Sequence, residues 1–193
     1  MRRICVFCGS SLGARPSYAA AARDLAAELA RHRMGLVYGG GRAGLMGIVA
    51  DAALEQGVEV IGVITRQLEV RERGHRGLTE QHIVETMHER KAMMARLAIG
   101  FVALPGGFGT FEELCEMITW TQLAIHAKPA IVINVDGYFD PLLAQFDRAV
   151  EEEFPRPENR AQVISVATAA AALACINAWT PPAGPAMFEP PRP

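Results

Sequence analysis

Pro105-Gly106-Gly107-Phe108-Gly109-Thr110-Phe111-Glu112-Glu113 follows the apolar run Ile99-Gly100-Phe101-Val102-Ala103-Leu104 and precedes a helical pattern from Phe111 to His126. The order predicts a buried strand, a glycine-rich turn and a helix start. The first backbone N–H groups of a helix have no partner inside it, and the helix dipole adds partial positive charge there. Glycines let an anion approach that backbone closely. Thr110 adds a hydroxyl. Glu112 and Glu113 come one turn in, with Glu116 on a neighbouring face. Acids favour a helix N-terminus in any protein. That explains one glutamate better than it explains three glycines, a threonine and two acids in nine residues.

Working outward, strand and helix patterns alternate. Ile4–Cys8 ends in Gly9-Ser10-Ser11. Pro16 opens a helix carrying Tyr18, Ala21, Ala22, Leu25 and Leu29. Leu36–Tyr38 ends in Gly39-Gly40-Gly41, and a helix with Leu45, Ile48, Val49, Ala52 and Ala53 follows. Val58–Ile64 reads as a third strand. Residues 66–80 are crowded with charge and read as a polar loop: a solvated connection, or a flap over a site. Ile83–Met87 reads as a strand and His88–Ala98 as a helix. Ala130–Val135, Asp140–Phe154, Gln162–Val166 and 168–179 complete the alternation. This predicts one α/β domain over residues 1–180, doubly wound and Rossmann-like, with a mostly parallel sheet and helices on both faces. Residues 181–193 hold six prolines and read as a disordered tail. In such sheets ligands gather at the carboxyl ends of strands. The turns at 9–11, 39–41 and 105–109 all occupy such ends, which points to a nucleotide-like ligand.

Composition narrows the function. The chain has 193 residues, half of them hydrophobic, and a net charge of −2. That balance argues against a general nucleic-acid binder. No signal peptide or membrane-length apolar run is visible, so no membrane partner is expected and a cytoplasmic location fits. Cys5 and Cys8 have C-x-x-C spacing, but alternation within a strand sends them to opposite faces, so buried thiols are expected rather than a metal or redox pair. No metal-ligand cluster, Ser/His/Asp arrangement, HExxH or P-loop is visible.

Gly39-Gly40-Gly41-Arg42-Ala43-Gly44 matches G-x-G-x-x-G. It follows the second strand rather than the first, and the next strand ends Gly62-Val63-Ile64-Thr65 without an acid. NAD binding is therefore disfavoured. Phosphate or ribose proximity is favoured over tight helix–strand packing as the reading of these glycines. Met87-His88-Glu89-Arg90-Lys91 sets two adjacent cations at a helix start, where they oppose the dipole. They point about 100° apart, so one partner is not expected to serve both. A ligand phosphate or Glu113 would relieve the conflict.

These residues resemble the Lonely Guy (LOG) family of cytokinin-activating phosphoribohydrolases. The signature P-G-G-x-G-T-x-x-E stands at Pro105–Glu113 and M-H-x-R-K at Met87–Lys91. The stretches Cys8–Ser11, Gly39–Gly47 and Ile118–Leu123 are similar to the family as well, so the resemblance covers roughly residues 2–180. It implies hydrolysis of the N-glycosidic bond of an adenine-type nucleoside 5′-monophosphate, with no cofactor. It implies Arg90 and Glu113 as the catalytic pair and Gly106, Gly107, Phe108, Gly109 and Thr110 around the phosphate. Ser10, Gly40, Gly41, Met87, Lys91, Glu112 and Thr119 complete the expected nucleotide site. The family also uses an acid after the third strand, a role open to Glu69 or Glu72. The resemblance implies a homodimer with the active site near the subunit boundary, and Met117, Trp120 and Leu123 fit a helix buried on two sides. A non-catalytic carrier on the same fold, as in molybdenum-cofactor carriers, is the alternative. An amino-acid decarboxylase would need Lys91 or Lys128 as a Schiff-base lysine, and no pyridoxal-site pattern surrounds either.

Overall fold

Seven strands form one sheet: β1 (Arg3–Phe7), β2 (Gly35–Tyr38), β3 (Val60–Thr65), β4 (Glu80–Val84), β5 (Gly100–Ala103), β6 (Ala130–Ile133) and β7 (Val163–Val166). The computed structural model describes residues 1–72 and 74–181, and only the backbone at 71 and 72. The strand order is β4-β3-β2-β1-β5-β6-β7, and every pairing between these strands is parallel. The five central strands are almost wholly buried, which is why they read as unbroken apolar runs rather than alternating ones.

The helices are α1 (Pro16–Arg31), α2 (Gly44–Glu55), α3 (Arg66–Glu72), α4 (Met87–Leu97), α5 (Phe108–Gln122), α6 (Asp140–Glu151), α7 (Pro157–Arg160) and α8 (Ala169–Ala178). One sheet face packs against α1, α2 and α8 through Ile4, Val6, Leu25, Leu36, Val49 and Leu173. The other carries α4 and α5 over Cys5, Phe7, Val37, Ile61 and Phe101. Cys5 and Cys8 fall in different core clusters and both are free, as their spacing predicts. The sheet is built outward from β1 to β4, then resumes from β5 on the opposite side of β1. The point where the order reverses therefore lies between β1 and β5, where α/β sheets open a ligand crevice.

Three expectations need correction. The polar stretch after β3 is not all loop, because Arg66–Glu72 is helical. Arg, Gln, Leu and Glu are good helix formers, and the Thr65 hydroxyl accepts from the Leu68 N–H at 3.3 Å. The strand placed at Ile83–Met87 is Glu80–Val84 instead, and α4 begins at Met87. Thr86 and Glu89 form a reciprocal capping box, so Thr86 ends the extended chain. Finally, α5 begins at Phe108, three residues earlier than its apolar pattern. Glu113 therefore lies in the second turn, beyond the strongest reach of the dipole. The proline-rich tail lies outside the described residues after Pro181.

Candidate active site

Arg90 and Glu113 meet at the centre of the sheet's carboxyl edge. Arg90 Nη1 donates to Glu113 Oε1 at 2.7 Å, Nε donates to the Val63 carbonyl at 2.9 Å, and Nη2 donates to the Gly39 carbonyl at 3.4 Å. The guanidinium is thus held by the ends of β2 and β3 and aimed at α5. Both side chains are buried, Arg90 at 5% and Glu113 at 8% exposure. The structure gives a single prong to the carboxylate, with the other nitrogens on backbone carbonyls. Arg90 thus holds the Glu113 carboxylate in place. Burial pushes the Glu113 carboxyl above its ordinary value, and the Arg90 charge and hydrogen bond pull against that rise.

Lys91 turns to a different pair. Its Nζ contacts Glu112 and lies 2.9 Å from Glu116 Oε2. Burial alone would lower its pKa, but the two carboxylates outweigh burial and the net direction is up. The two adjacent cations therefore have separate anionic partners. Glu112, expected at the substrate, is instead tied to Lys91.

The two glycine-rich turns behave differently. At the start of α2, the Leu45 and Met46 N–H groups donate to the Gly9 carbonyl at 3.0 and 3.3 Å. Gly40 accepts from the His75 N–H at 3.0 Å, and Gly41 bridges to Gly74. His75 is buried, and its Nε2 lies 2.7 Å from Asp51 while Nδ1 accepts from the Gly77 N–H. The 39–44 turn is thus an internal joint, with the Gly39 and Gly40 carbonyls engaged by Arg90 and His75 and Gly41 bridged to Gly74. This favours the packing alternative for Gly40 and Gly41 over ligand contact.

At the start of α5, Gly107 is the N-cap with no side-chain cap. Gly107, Phe108 and Gly109 are exposed. Among the described residues, no acceptor engages the N–H groups of Phe108, Gly109 or Thr110. A cavity of about 280 Å³ opens beside this turn, lined by Ser10, Tyr18, Leu45, Gly106, Gly107 and Tyr138 among others. It lies at the β1/β5 reversal, where the Gly9 N–H donates to the Pro105 carbonyl at 3.1 Å. A Cβ on Gly106 would fall 2.0 Å from Thr110 Oγ1 and 2.8 Å from the Gly9 nitrogen, so the two loops can meet only with glycine there.

Other expected site residues are scattered. Met87 opens α4 and is partly exposed. Glu69 lines a larger hollow of about 870 Å³ with Arg42, Val70, Gly74, Arg76 and Gln81. The side chain of Glu72 lies outside the described residues. Thr119 is nine residues beyond Thr110 on α5, about 13 Å along the axis. It donates to the Cys115 carbonyl and lines a separate hollow with Phe146 and Arg160. Met117, expected to need a second subunit, is 1% exposed against this chain's own sheet. Gly39 was missed among the site residues. Its signal was the first glycine of the 39–44 motif, and its task is to leave room for Arg90.

A family model described as "Possible lysine decarboxylase" matches residues 46–176. Cytokinin riboside 5′-monophosphate phosphoribohydrolase LOG7 of Arabidopsis thaliana is 52% identical over 168 residues, covering 87% of this chain and 77% of that protein. The chain belongs to the LOG family. Probable cytokinin riboside 5′-monophosphate phosphoribohydrolase LOGL1 of Oryza sativa subsp. japonica is 49% identical over 178 residues, covering 92% of this chain and 80% of that one. Among solved structures, the molybdenum cofactor carrier protein of Chlamydomonas reinhardtii superposes with a TM-score of 0.69 at 19% identity, covering 91% of this chain and 96% of that one. That likeness is one of fold. It places this LOG-family chain on the same Rossmann-like frame.

Proposed function

We propose that this chain is a phosphoribohydrolase. It cleaves the N-glycosidic bond of an adenine-type nucleoside 5′-monophosphate, a cytokinin riboside 5′-monophosphate or AMP, releasing free base and ribose 5-phosphate. The observation that carries this reading is the buried Glu113, held by Arg90 near an uncapped helix start. A phosphate fits the exposed amides of α5 beside Gly106–Thr110. Breaking the bond at C1′ leaves positive charge on the ribose ring, as in other glycoside cleavages. Glu113 Oε1 is engaged by Arg90, and no partner engages Oε2 among the described residues. That oxygen is the one available to face the sugar or to activate water. Holding the substrate by its phosphate turns a bimolecular encounter into a positioned one.

The test is product analysis. Incubation with AMP and with isopentenyladenosine monophosphate is expected to yield free base and ribose 5-phosphate by chromatography, whereas adenosine is expected to remain intact. Comparable turnover of adenosine and AMP would sink the phosphate-anchored reading. Release of neither product from either monophosphate would sink the enzyme reading.

The assembly we propose is a homodimer in which α5 contributes to the boundary. Met117 no longer supports this, but Leu123 and Ile125 leave apolar surface exposed at the end of α5, and Trp120 is only partly covered. Thr119, too far along α5 to serve its own turn, would act at the partner's site. Light scattering at micromolar concentration is expected to give about twice the 20.9 kDa chain mass. A monomer mass would reject the dimer and leave Thr119 without a site.

A further inference from the structure

The segment between β6 and α6 is braced more heavily than a surface connection requires. Asn134 Oδ1 accepts from the Phe139 N–H at 2.7 Å, and its Nδ2 donates to Asp140 Oδ1 at 2.6 Å. Asp136 and Gly137 both take left-handed backbone angles, φ 52° and 72°. For the aspartate this is an uncommon and strained conformation. Its carboxylate accepts from the Ser17 hydroxyl at 2.6 Å, and Arg15 Nη1 donates to its carbonyl at 3.4 Å. The segment is thereby stapled to the start of α1.

What the bracket presents is Tyr138. Its ring packs edge-on to Tyr18 at 5.6 Å and to Phe139 at 5.1 Å, and stacks near Phe111 at 6.3 Å. Phe111 belongs to the first turn of α5. The Tyr138 hydroxyl donates to the Gly106 carbonyl, and the ring shares the 280 Å³ cavity with Gly106 and Gly107.

We infer that Tyr138 is a positioning residue for the anion-binding turn, its hydroxyl locking the Gly106–Gly107 peptide so that the carbonyl oxygen faces the tyrosine rather than a bound phosphate. A peptide unit flanked by two glycines rotates more easily than any other, because neither residue carries a Cβ. In a planar trans peptide the C=O and N–H point in opposite directions. Fixing the Gly106 oxygen on Tyr138 therefore also fixes the Gly107 N–H on the other side of the turn. Rotated the other way, the peptide would present a partial negative charge to a dianion. The hydroxyl is a donor that removes this choice, and the strained bracket holds the donor in place.

This inference rests on the phosphoribohydrolase reading for the identity of the anion, so the experiment separates the two. Inorganic phosphate and ribose 5-phosphate are titrated by calorimetry into the wild-type chain and Tyr138→Phe, and AMP hydrolysis is followed in parallel. Tyr138→Phe keeps the ring packing and removes only the donor. Both anions are expected to bind about tenfold more weakly, the scale of one hydrogen bond lost from a designed contact. KM for AMP is expected to rise by a similar factor while kcat stays within about threefold, the signature of lost uniform binding. Ser17→Ala, which loosens the bracket without touching the cavity, is expected to shift the same quantities in the same direction by less. Anion affinities unchanged in Tyr138→Phe overturn the inference, as does a fall in kcat with KM unmoved. Failure of the wild-type chain to bind either anion overturns it too. If the wild-type chain binds phosphate but hydrolyses no monophosphate, the enzyme reading fails and the phosphate titrations still decide the role of Tyr138.

Discussion

Glu113→Gln is expected to lower turnover of AMP or isopentenyladenosine monophosphate by about 10²–10³-fold while leaving nucleotide binding and melting temperature largely unchanged. The magnitude is that of removing one preorganised electrostatic group from a water-poor site. Glutamine keeps the shape of the side chain and still accepts a hydrogen bond from Arg90 through its carbonyl oxygen. What it loses is the negative charge that a developing oxocarbenium ion requires. Binding should persist if, as proposed, the phosphate sits on the unengaged amides at the start of α5, because Glu113 lies in the next turn and makes none of those contacts. Glu112→Gln is the comparison. Glu112 is exposed and its partner Lys91 keeps Glu116, so its loss should cost much less. Kinetics of both variants, with binding measured separately, decide the assignment. Near-normal turnover by a well-folded Glu113→Gln chain would reject it.

The same geometry sets a pH dependence. Burial raises the Glu113 carboxyl above its ordinary value and Arg90 opposes that rise. The ionised form is the active one, so the rate falls as pH drops through this raised value. The acid limb of the kcat profile should therefore lie above the usual carboxylate range. Removing Arg90 removes the main charge and hydrogen bond that pull the value down, leaving only the weaker pull of Lys91, so the limb moves to higher pH. Arg90→Gln should accordingly lose more activity at pH 6 than at pH 8. The helix dipole contributes less, because Glu113 stands in the second turn of α5.

Much of this was legible in the chain itself. Fully buried parallel strands leave continuous apolar runs, and β1, β3, β5 and β6 were read from them. The glycine-rich turn before α5 was legible because an apolar strand, the glycines and a helical pattern follow one another directly from residue 99 onward. Boundaries were harder. The start of α5 carries Phe108 and Gly109, both exposed, so its first residues have no apolar periodicity to read. The Thr86–Glu89 box stands in the sequence as T-x-x-E, but Thr86 also closes a β-branched run that reads as strand. The partners of Lys91 and Glu112 were not legible at all, because they depend on how α4 and α5 lie beside each other on the sheet. Nor was the split between the two glycine-rich turns. Only the fold shows that Gly9 engages the amides of α2 and leaves those of α5 open.

Gly39→Ala is expected to reduce turnover nearly as much as losing Arg90, although residue 39 touches no substrate. A Cβ built there falls 2.2 Å from Arg90 Nη2 and 3.4 Å from Cζ. Two atoms cannot share that space, so either the guanidinium or the end of β2 must move. The strand is fixed by parallel pairing with β1 and β3 on both sides. The guanidinium is the softer element, but it moves only by giving up the Val63 or Gly39 carbonyl or the Glu113 carboxylate. Each of those losses leaves a buried polar group short of a partner. Once displaced, Arg90 no longer orients Glu113 or counters its burial, so Gly39→Ala should also move the acid limb upward, as Arg90→Gln does. Alanine at 39 combined with Arg90→Gln should then be little worse than either alone, since both act through one contact. Independent, additive losses would mean that Gly39 serves the nucleotide directly. Gly40→Ala is the informative contrast. Gly40 has φ 76° and its Cβ would press Ile64 rather than Arg90, so its effect should appear in melting temperature before it appears in the pH profile.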